Sequence, residues 1–179
     1  MNSTLETRVA DCHPASVPDY IPVPELRDLQ LGRMQAVVTR AWQQVKLFRS
    51  RMNDRGIEPG DIRSLEDIAK LPFTVKTDLR DTYPTGLFAS SMKDVVRLHA
   101  SSGTTGKPIV VAYTREDIDV WTSVLVRCLA GCGLHRGDII QVAYGYGLFT
   151  GGLGAHYGAE ALGAAVIPAS GGNADRRSC

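Results

Sequence analysis

The stretch Ile109–Ala169, IVVAYTREDIDVWTSVLVRCLAGCGLHRGDIIQVAYGYGLFTGGLGAHYGAEALGAAVIPA, decides the fold. Its punctuation alternates. IVVAY (109–113) is an apolar, β-branched run and reads as a strand. Thr114 followed by Asp117 is a helix-start signal: the hydroxyl accepts from a first-turn N–H and the carboxylate reaches back. The helix runs to about Cys132 and puts Ile118, Trp121, Leu125, Cys128, Leu129 and Cys132 on one face, so both thiols are expected to be buried. Gly131 and Gly133 stop it. The turn HRGD leads to a second strand, IIQVAY (139–144). YGLFTGG is a glycine loop, LGAHYGAEALG a second helix, and AAVIPA (164–169) a third strand. This alternation of strands and helices is that of a mainly parallel sheet, whose neighbouring strands need long crossover connections. The fold class is α/β.

Just upstream, VVRLHA (95–100) is another strand, and SSGTTGKP (101–108) joins it to IVVAY. Four hydroxyls, two glycines and a lysine fall within those eight residues. Glycine lets backbone N–H groups turn toward an anion without a Cβ in the way. Ser and Thr hydroxyls are rotatable donors to phosphate oxygens, and lysine is a mobile point charge. The set suits a triphosphate. It is not a Walker A loop, which needs four residues between its glycines and Ser or Thr after the lysine. Here two residues separate Gly103 from Gly106, and Pro108 follows Lys107. The competing reading is a polar hairpin turn, since Ser, Thr and Gly are ordinary turn residues.

The N-terminal half is helical. Residues 1–23 read as an irregular arm, because Pro14, Pro18 and Pro22 oppose a helix, while Pro24 suits a first helical position. From Glu25, Leu26, Leu29, Met34, Val37, Ala41, Val45, Phe48 and Met52 recur at three- and four-residue steps, giving one amphipathic helix or two in line up to Gly56. Ser64 with Asp67 predicts a capped helix through Lys70, and Thr77 predicts the cap of another that Pro84 closes. The organisation is an arm (1–23), a helical subregion (24–94) and an α/β region with the hydroxyl-rich loop (95–179).

The charge balance, 20 basic against 19 acidic residues, gives no general pull toward nucleic acid or anionic lipid. No apolar run approaches the roughly 18 residues of a membrane span, and MNSTLETRVADCHPASVPDY has no signal-like apolar core. The four cysteines form no CxxC pair, which suits a reducing, cytoplasmic compartment. Neither they nor His99, His135 and His156 make a metal-ligand pattern. Charge is also unevenly spread. Between Asp138 and Asp175 the only charged residue is Glu160, and twelve of the 18 glycines lie from Gly131 onward.

SSGTTGKP, followed by an apolar strand and Tyr113-Thr114, resembles the phosphate loop of the adenylate-forming enzymes, which include the acyl- and aryl-CoA ligases. Three further blocks resemble the phenylacetate–coenzyme A ligase branch: SLEDIAKLPFTVKTDLRDTYPTGLFA (64–89), YGYGLFTGGLGAHYGAE (144–160) and VIPASGGN (166–173). The resemblance implies a helical segment followed by part of the mixed or parallel sheet of that family's large N-terminal domain, left incomplete. It implies that ATP, with Mg²⁺, activates an aryl acid as an acyl-adenylate, and that coenzyme A displaces AMP. By position, Ser101, Ser102, Gly103, Thr104, Thr105, Gly106 and Lys107 would bind the ATP phosphates. Lys76 would be a second cation near the γ-phosphate, competing with a plain solvated lysine. Tyr144, Phe149 and Gly151 would line the aryl-acid pocket, the aromatic pair competing with ordinary core packing. Members of the family are considerably longer, and their catalytic lysine and acidic Mg²⁺ ligand fall beyond this chain. The resemblance therefore implies no catalytic residue here and no thioester formation by this chain alone. A non-catalytic remnant or interaction module is the other reading. The expected partners are small molecules, with neither nucleic acid nor membrane, and the oligomeric state is left open.

Overall fold

A computed structural model describes residues 14–101, 108–147 and 150–171. They fall into two compact units: Ile21–Ala112, and the described residues of 1–20 and 113–179.

In the first unit, α1 (Val23–Gln44) starts with Pro24 in its first turn, where the missing N–H has no partner to lose. At Val45 the backbone is extended (φ −105°, ψ 104°), and α2 (Lys46–Asp54) restarts at once. The long periodicity is thus two helices in line. Gly56 ends the run at φ +64°, a left-handed conformation that glycine adopts without a Cβ clash. Val38, Met52 and Ile62 are buried together, with Met34, Trp42, Phe48, Ile57 and Leu71 packed around them. Gln35 Nε2 donates to the Ile62 carbonyl at 2.8 Å and ties the following loop to α1.

The backbone N–H groups of Arg63 and Ser64 both donate to Asp67 Oδ2 at 2.8 Å. The expected cap at Ser64 is there, but the element it opens, Leu65–Lys70, is a 3₁₀ turn. Next comes α3 (Lys76–Asp81), capped not from Thr77 but from within: the Val75 N–H donates to Asp78 Oδ2 at 2.8 Å. Arg51 on α2 grips the same carboxylate with both terminal nitrogens, at 2.6 and 2.7 Å, and also donates to the Phe73 carbonyl at 2.8 Å. Such a planar fork is among the stronger polar contacts available to a protein.

These carboxylates make the unit acid-sensitive. The Arg51 guanidinium, helped by the Val75 N–H, holds Asp78 below the usual carboxylate range. The Lys70 ammonium, with the Arg63 and Ser64 N–H groups, does the same to Asp67. The unfolded chain then takes up these protons more readily than the folded one. The stabilisation is complete above the unfolded pKa, near ~4, and is lost as the pH falls through the folded values. Thermal melts should therefore stay level from about pH 7 to about pH 5 and drop below about pH 4. Asp78→Asn should melt about 5 °C lower at neutral pH and show a shallower acid slope. A variant that melts like the wild type at every pH would show that this fork contributes nothing.

β1 (Val95–Ala100) and β2 (Val110–Thr114) pair with each other. Beyond them Thr114 caps α4 (Arg115–Gly131): its Oγ1 accepts the Asp117 N–H at 3.2 Å, and its own N–H donates to Asp117 Oδ2 at 2.8 Å. Then follow β3 (Ile139–Gln141), α5 (Gly151–Leu162) and β4 (Ala165–Ile167). β3 and β4 are parallel, with Ile139 opposite Ala165, Ile140 opposite Val166 and Gln141 opposite Ile167. This is the expected crossover unit. Among the described residues, however, β2 does not join it, and two two-stranded sheets form. β3 and β4 also hold three residues each, fewer than the six-residue runs expected from sequence.

The second unit is held by glycine. A Cβ at Gly154 would stand 2.7 Å from Trp121 Cζ2, and one at Gly158 would stand 2.5 Å from Leu125 Cβ. Four residues apart, the two glycines share one face of α5, and α4 lies directly against it. Trp121 in turn stacks on Tyr113 at 5.5 Å between centroids. Inside residues 1–23, expected to be irregular, Pro14–Tyr20 forms a 3₁₀ turn, and Asp19 pairs with Arg127 of α4. Cys128 and Cys132 are exposed, contrary to expectation. At roughly 100° per residue, Cys128 sits about 80° round from Ile118, on the margin of the apolar stripe. Among the described residues no helix is long and apolar enough to cross a membrane.

Candidate nucleotide and acid site

The hydroxyl-rich loop begins where β1 ends. Of its residues, Ser101 and Pro108 are described. The Ser101 N–H donates to the Ile109 carbonyl at 2.9 Å, and its Oγ accepts the Ile109 N–H at 3.2 Å. Both bonds close the base of the loop. Accepting this bond does not use the Ser101 hydroxyl proton, since a hydroxyl donates one bond as well as accepting. Ser102, Gly103, Thr104, Thr105, Gly106 and Lys107 lie outside the described residues.

Lys76 is exposed in the first turn of α3. It belongs to the same unit as Ser101, and among the described residues no hydrogen bond joins the two. The Arg51–Asp78 fork fixes the start of α3, and with it the backbone position of Lys76.

Tyr144 and Gly151, expected to line an acid pocket, sit on the second unit after β3. The Tyr144 ring lies directly on Gly151: a Cβ there would be 2.7 Å from Tyr144 Cε1 and 3.0 Å from Cδ1. The neighbouring backbone follows suit, because a Cβ at Gly152 would meet the Gly145 carbonyl at 2.6 Å. The two glycines that open α5 thus seat the Tyr144–Gly145 segment on its first turn. Tyr144 is 54% exposed, which is not the burial of a core residue. The structure brings Tyr144 and Gly151 together, while Phe149 lies outside the described residues.

A further polar group stands beside this segment. Tyr146 Oη lies 3.2 Å from His156 Nδ1, and His156 Nε2 lies 3.1 Å from Glu160 Oε1. Burial, and then the Glu160 charge, push the Tyr146 hydroxyl above its ordinary pKa. The sequence reading gave His156 no role. The available signal was its spacing of four from Glu160, the one charge in that stretch.

Comparison with known proteins gives a likeness in sequence and in fold. No protein-family model matches the sequence. The chain is 54% identical over 153 residues to a phenylacetate–coenzyme A ligase of Aromatoleum evansii, covering 86% of this chain and 35% of that protein. It is 53% identical over 156 residues to the Escherichia coli (strain K12) phenylacetate–coenzyme A ligase, covering 87% and 36%. The chain thus spans about a third of the length of the curated relatives it matches. In three dimensions it resembles a 2-hydroxyisobutyryl-CoA ligase solved with 2-HIB-AMP and CoA in the thioesterification state. There the TM-score is 0.79 at 31% identity, over 87% of this chain and 34% of that one. An open conformation of the same ligase with 2-HIB-AMP and CoA gives 0.78 at 30% identity, over 87% and 37%. By sequence the chain is similar to phenylacetate–coenzyme A ligases, and by fold to a 2-hydroxyisobutyryl-CoA ligase, over about a third of the length of each.

Proposed function

We propose that this chain is the phosphate- and acid-binding portion of an AMP-forming aryl-acid–coenzyme A ligase, with phenylacetate as the acid. The observation that carries the reading is the 54% identity, over most of the chain, to a protein named for that reaction. The chemistry explains why such a portion is needed. A carboxylate is anionic and has no good leaving group, so a thiol does not attack it. Transfer to AMP makes a mixed anhydride and releases pyrophosphate. The thiol of coenzyme A then displaces AMP and forms the thioester. Charge builds on the α-phosphate and on departing pyrophosphate, and positioned donors lower that barrier.

In this reading Ser101, Ser102, Gly103, Thr104, Thr105, Gly106 and Lys107 hold the β- and γ-phosphates. Lys76 adds a cation near the γ-phosphate. Tyr144, Phe149 and Gly151 line the pocket for a flat ring, with glycine admitting it close to the backbone. Among the described residues no three His, Cys, Asp or Glu side chains cluster as a metal site. In this reading Mg²⁺ arrives with ATP. The compartment would be the cytoplasm, where ATP and coenzyme A are available.

Hydrogen exchange tests the loop. Millimolar ATP should slow exchange in residues 101–108 of the 179-residue chain, while ATP, phenylacetate and coenzyme A together should yield no thioester from it. The second expectation follows from its spanning about a third of the ligases it matches. No protection at millimolar ATP would remove the phosphate assignment, and measurable thioester would show that this third suffices.

A further inference from the structure

The polar group beside the acid wall has a direction. A carboxylate only accepts, so at the 3.1 Å contact with Glu160 the proton sits on His156 Nε2. In the neutral ring Nδ1 is then the acceptor, and at 3.2 Å the Tyr146 hydroxyl donates to it. The chain runs from Tyr146 through His156 to Glu160. Its rings reinforce it: Tyr146 and His156 meet edge to face at 5.6 Å, and Tyr157 meets His156 the same way at 5.7 Å. The His156 side chain is 22% exposed, so water competes weakly for its bonds.

The ends of this chain belong to different elements. Tyr146 lies on the segment after β3, two residues from Tyr144. His156 and Glu160 lie one turn apart on α5. One rigid ring with a donor and an acceptor on separate nitrogens can bridge them. Gln has the same two functions on a more flexible stem.

We propose that His156 is a positioning residue for the acid wall: by joining Tyr146 to Glu160 it locks the Tyr144–Gly147 segment onto α5 and so sets where the Tyr144 ring stands over Gly151. The consequence for ligand binding rests on the reading of Tyr144 and Gly151 as that wall.

The test uses the 179-residue chain with phenylacetate itself as the probe. His156→Phe keeps a ring and loses both bonds. Tyr146→Phe loses only the hydroxyl, and as the milder change it serves if His156→Phe does not fold. Amide exchange in residues 144–147 should rise about threefold to tenfold in each single variant, the scale of one net hydrogen bond. The double variant should rise no further than the larger single effect, since both remove the same bond. His156→Gln should recover part of the protection. Phenylacetate affinity, from an NMR titration, should fall by about the same factor as loop protection, with ATP protection of residues 101–108 unchanged. Unchanged exchange in 144–147, or fully additive single effects, would overturn the lock. A loosened segment with undiminished phenylacetate affinity would overturn the positioning role. A wild-type chain that takes up no phenylacetate would overturn the acid-wall reading, while the exchange data still decide the lock.

Discussion

Gly158→Val is expected to unfold the unit that contains α4 and α5. Two effects oppose each other at this position. A side chain in place of a helical glycine stabilises the helix by up to ~1 kcal/mol, most for Ala and less for Val. Against that, the new Cβ would stand 2.5 Å from Leu125 Cβ and 3.3 Å from the Leu125 carbonyl carbon. Carbon atoms prefer about 3.5–4.0 Å. Leu125 Cβ is fixed to its own backbone and has no rotamer that swings it away. The helices must therefore separate, which also pulls Trp121 off Gly154. Overpacking of this kind costs about 1–3 kcal/mol for a methyl, and the two further methyls of Val make it worse. The clash outweighs the propensity. Gly158→Ala should melt several degrees below wild type, and Gly158→Val should lose its cooperative transition in a circular-dichroism melt. A Gly158→Ala chain more stable than wild type would mean that the helices part at little cost.

Gly151→Val should behave the opposite way, sparing the fold and damaging binding. Its Cβ would also be too close to a neighbour, 2.7 Å from Tyr144 Cε1. Here the obstacle is the outer edge of a ring that is more than half exposed and can turn aside. The melting temperature should move by no more than a few degrees, a cost within about 1 kcal/mol. The ring nevertheless leaves its seat. If Tyr144 forms the acid wall, phenylacetate affinity should drop about tenfold, the equivalent of roughly 1.4 kcal/mol. The melt and the titration are made on the same sample. Unchanged affinity in a displaced-ring variant would remove Tyr144 from the pocket.

What the sequence disclosed follows from how far each interaction reaches. The caps at Ser64 and Thr114 were legible because each is a side chain bonding a backbone group three residues away. The start of α3 was misjudged at Thr77 for a related reason. Asp78 caps that helix from inside, and its carboxylate is recruited by Arg51, 27 residues earlier in the chain. The break at Val45 carries no proline or glycine, so the periodicity allowed either one helix or two. Strand extents depend on the partner strand, which explains why β3 and β4 stop short of their apolar runs. Periodicity puts Cys128 on the buried face, because a one-dimensional period cannot say how wide a neighbouring helix is.

The candidate site divided in the same way. The hydroxyl-glycine loop stood out by composition alone. Gly151 is legible only by its place in a motif, and its contact with Tyr144 is a property of the folded chain. The Tyr146–His156 bond spans ten residues and two elements, so only its His156–Glu160 half had a spacing to recognise.

The two tryptophans offer an optical consequence. Trp42 belongs to the first unit, where it packs against the Val38, Met52 and Ile62 core and the Arg49 guanidinium sits 5.7 Å from its ring centre. Trp121 belongs to the second, wedged against Gly154 and stacked on Tyr113. The chain has no other indole. Each unit thus carries one tryptophan at its own packing contact. Replacing either indole by Phe leaves emission that follows the other unit alone, without any added label.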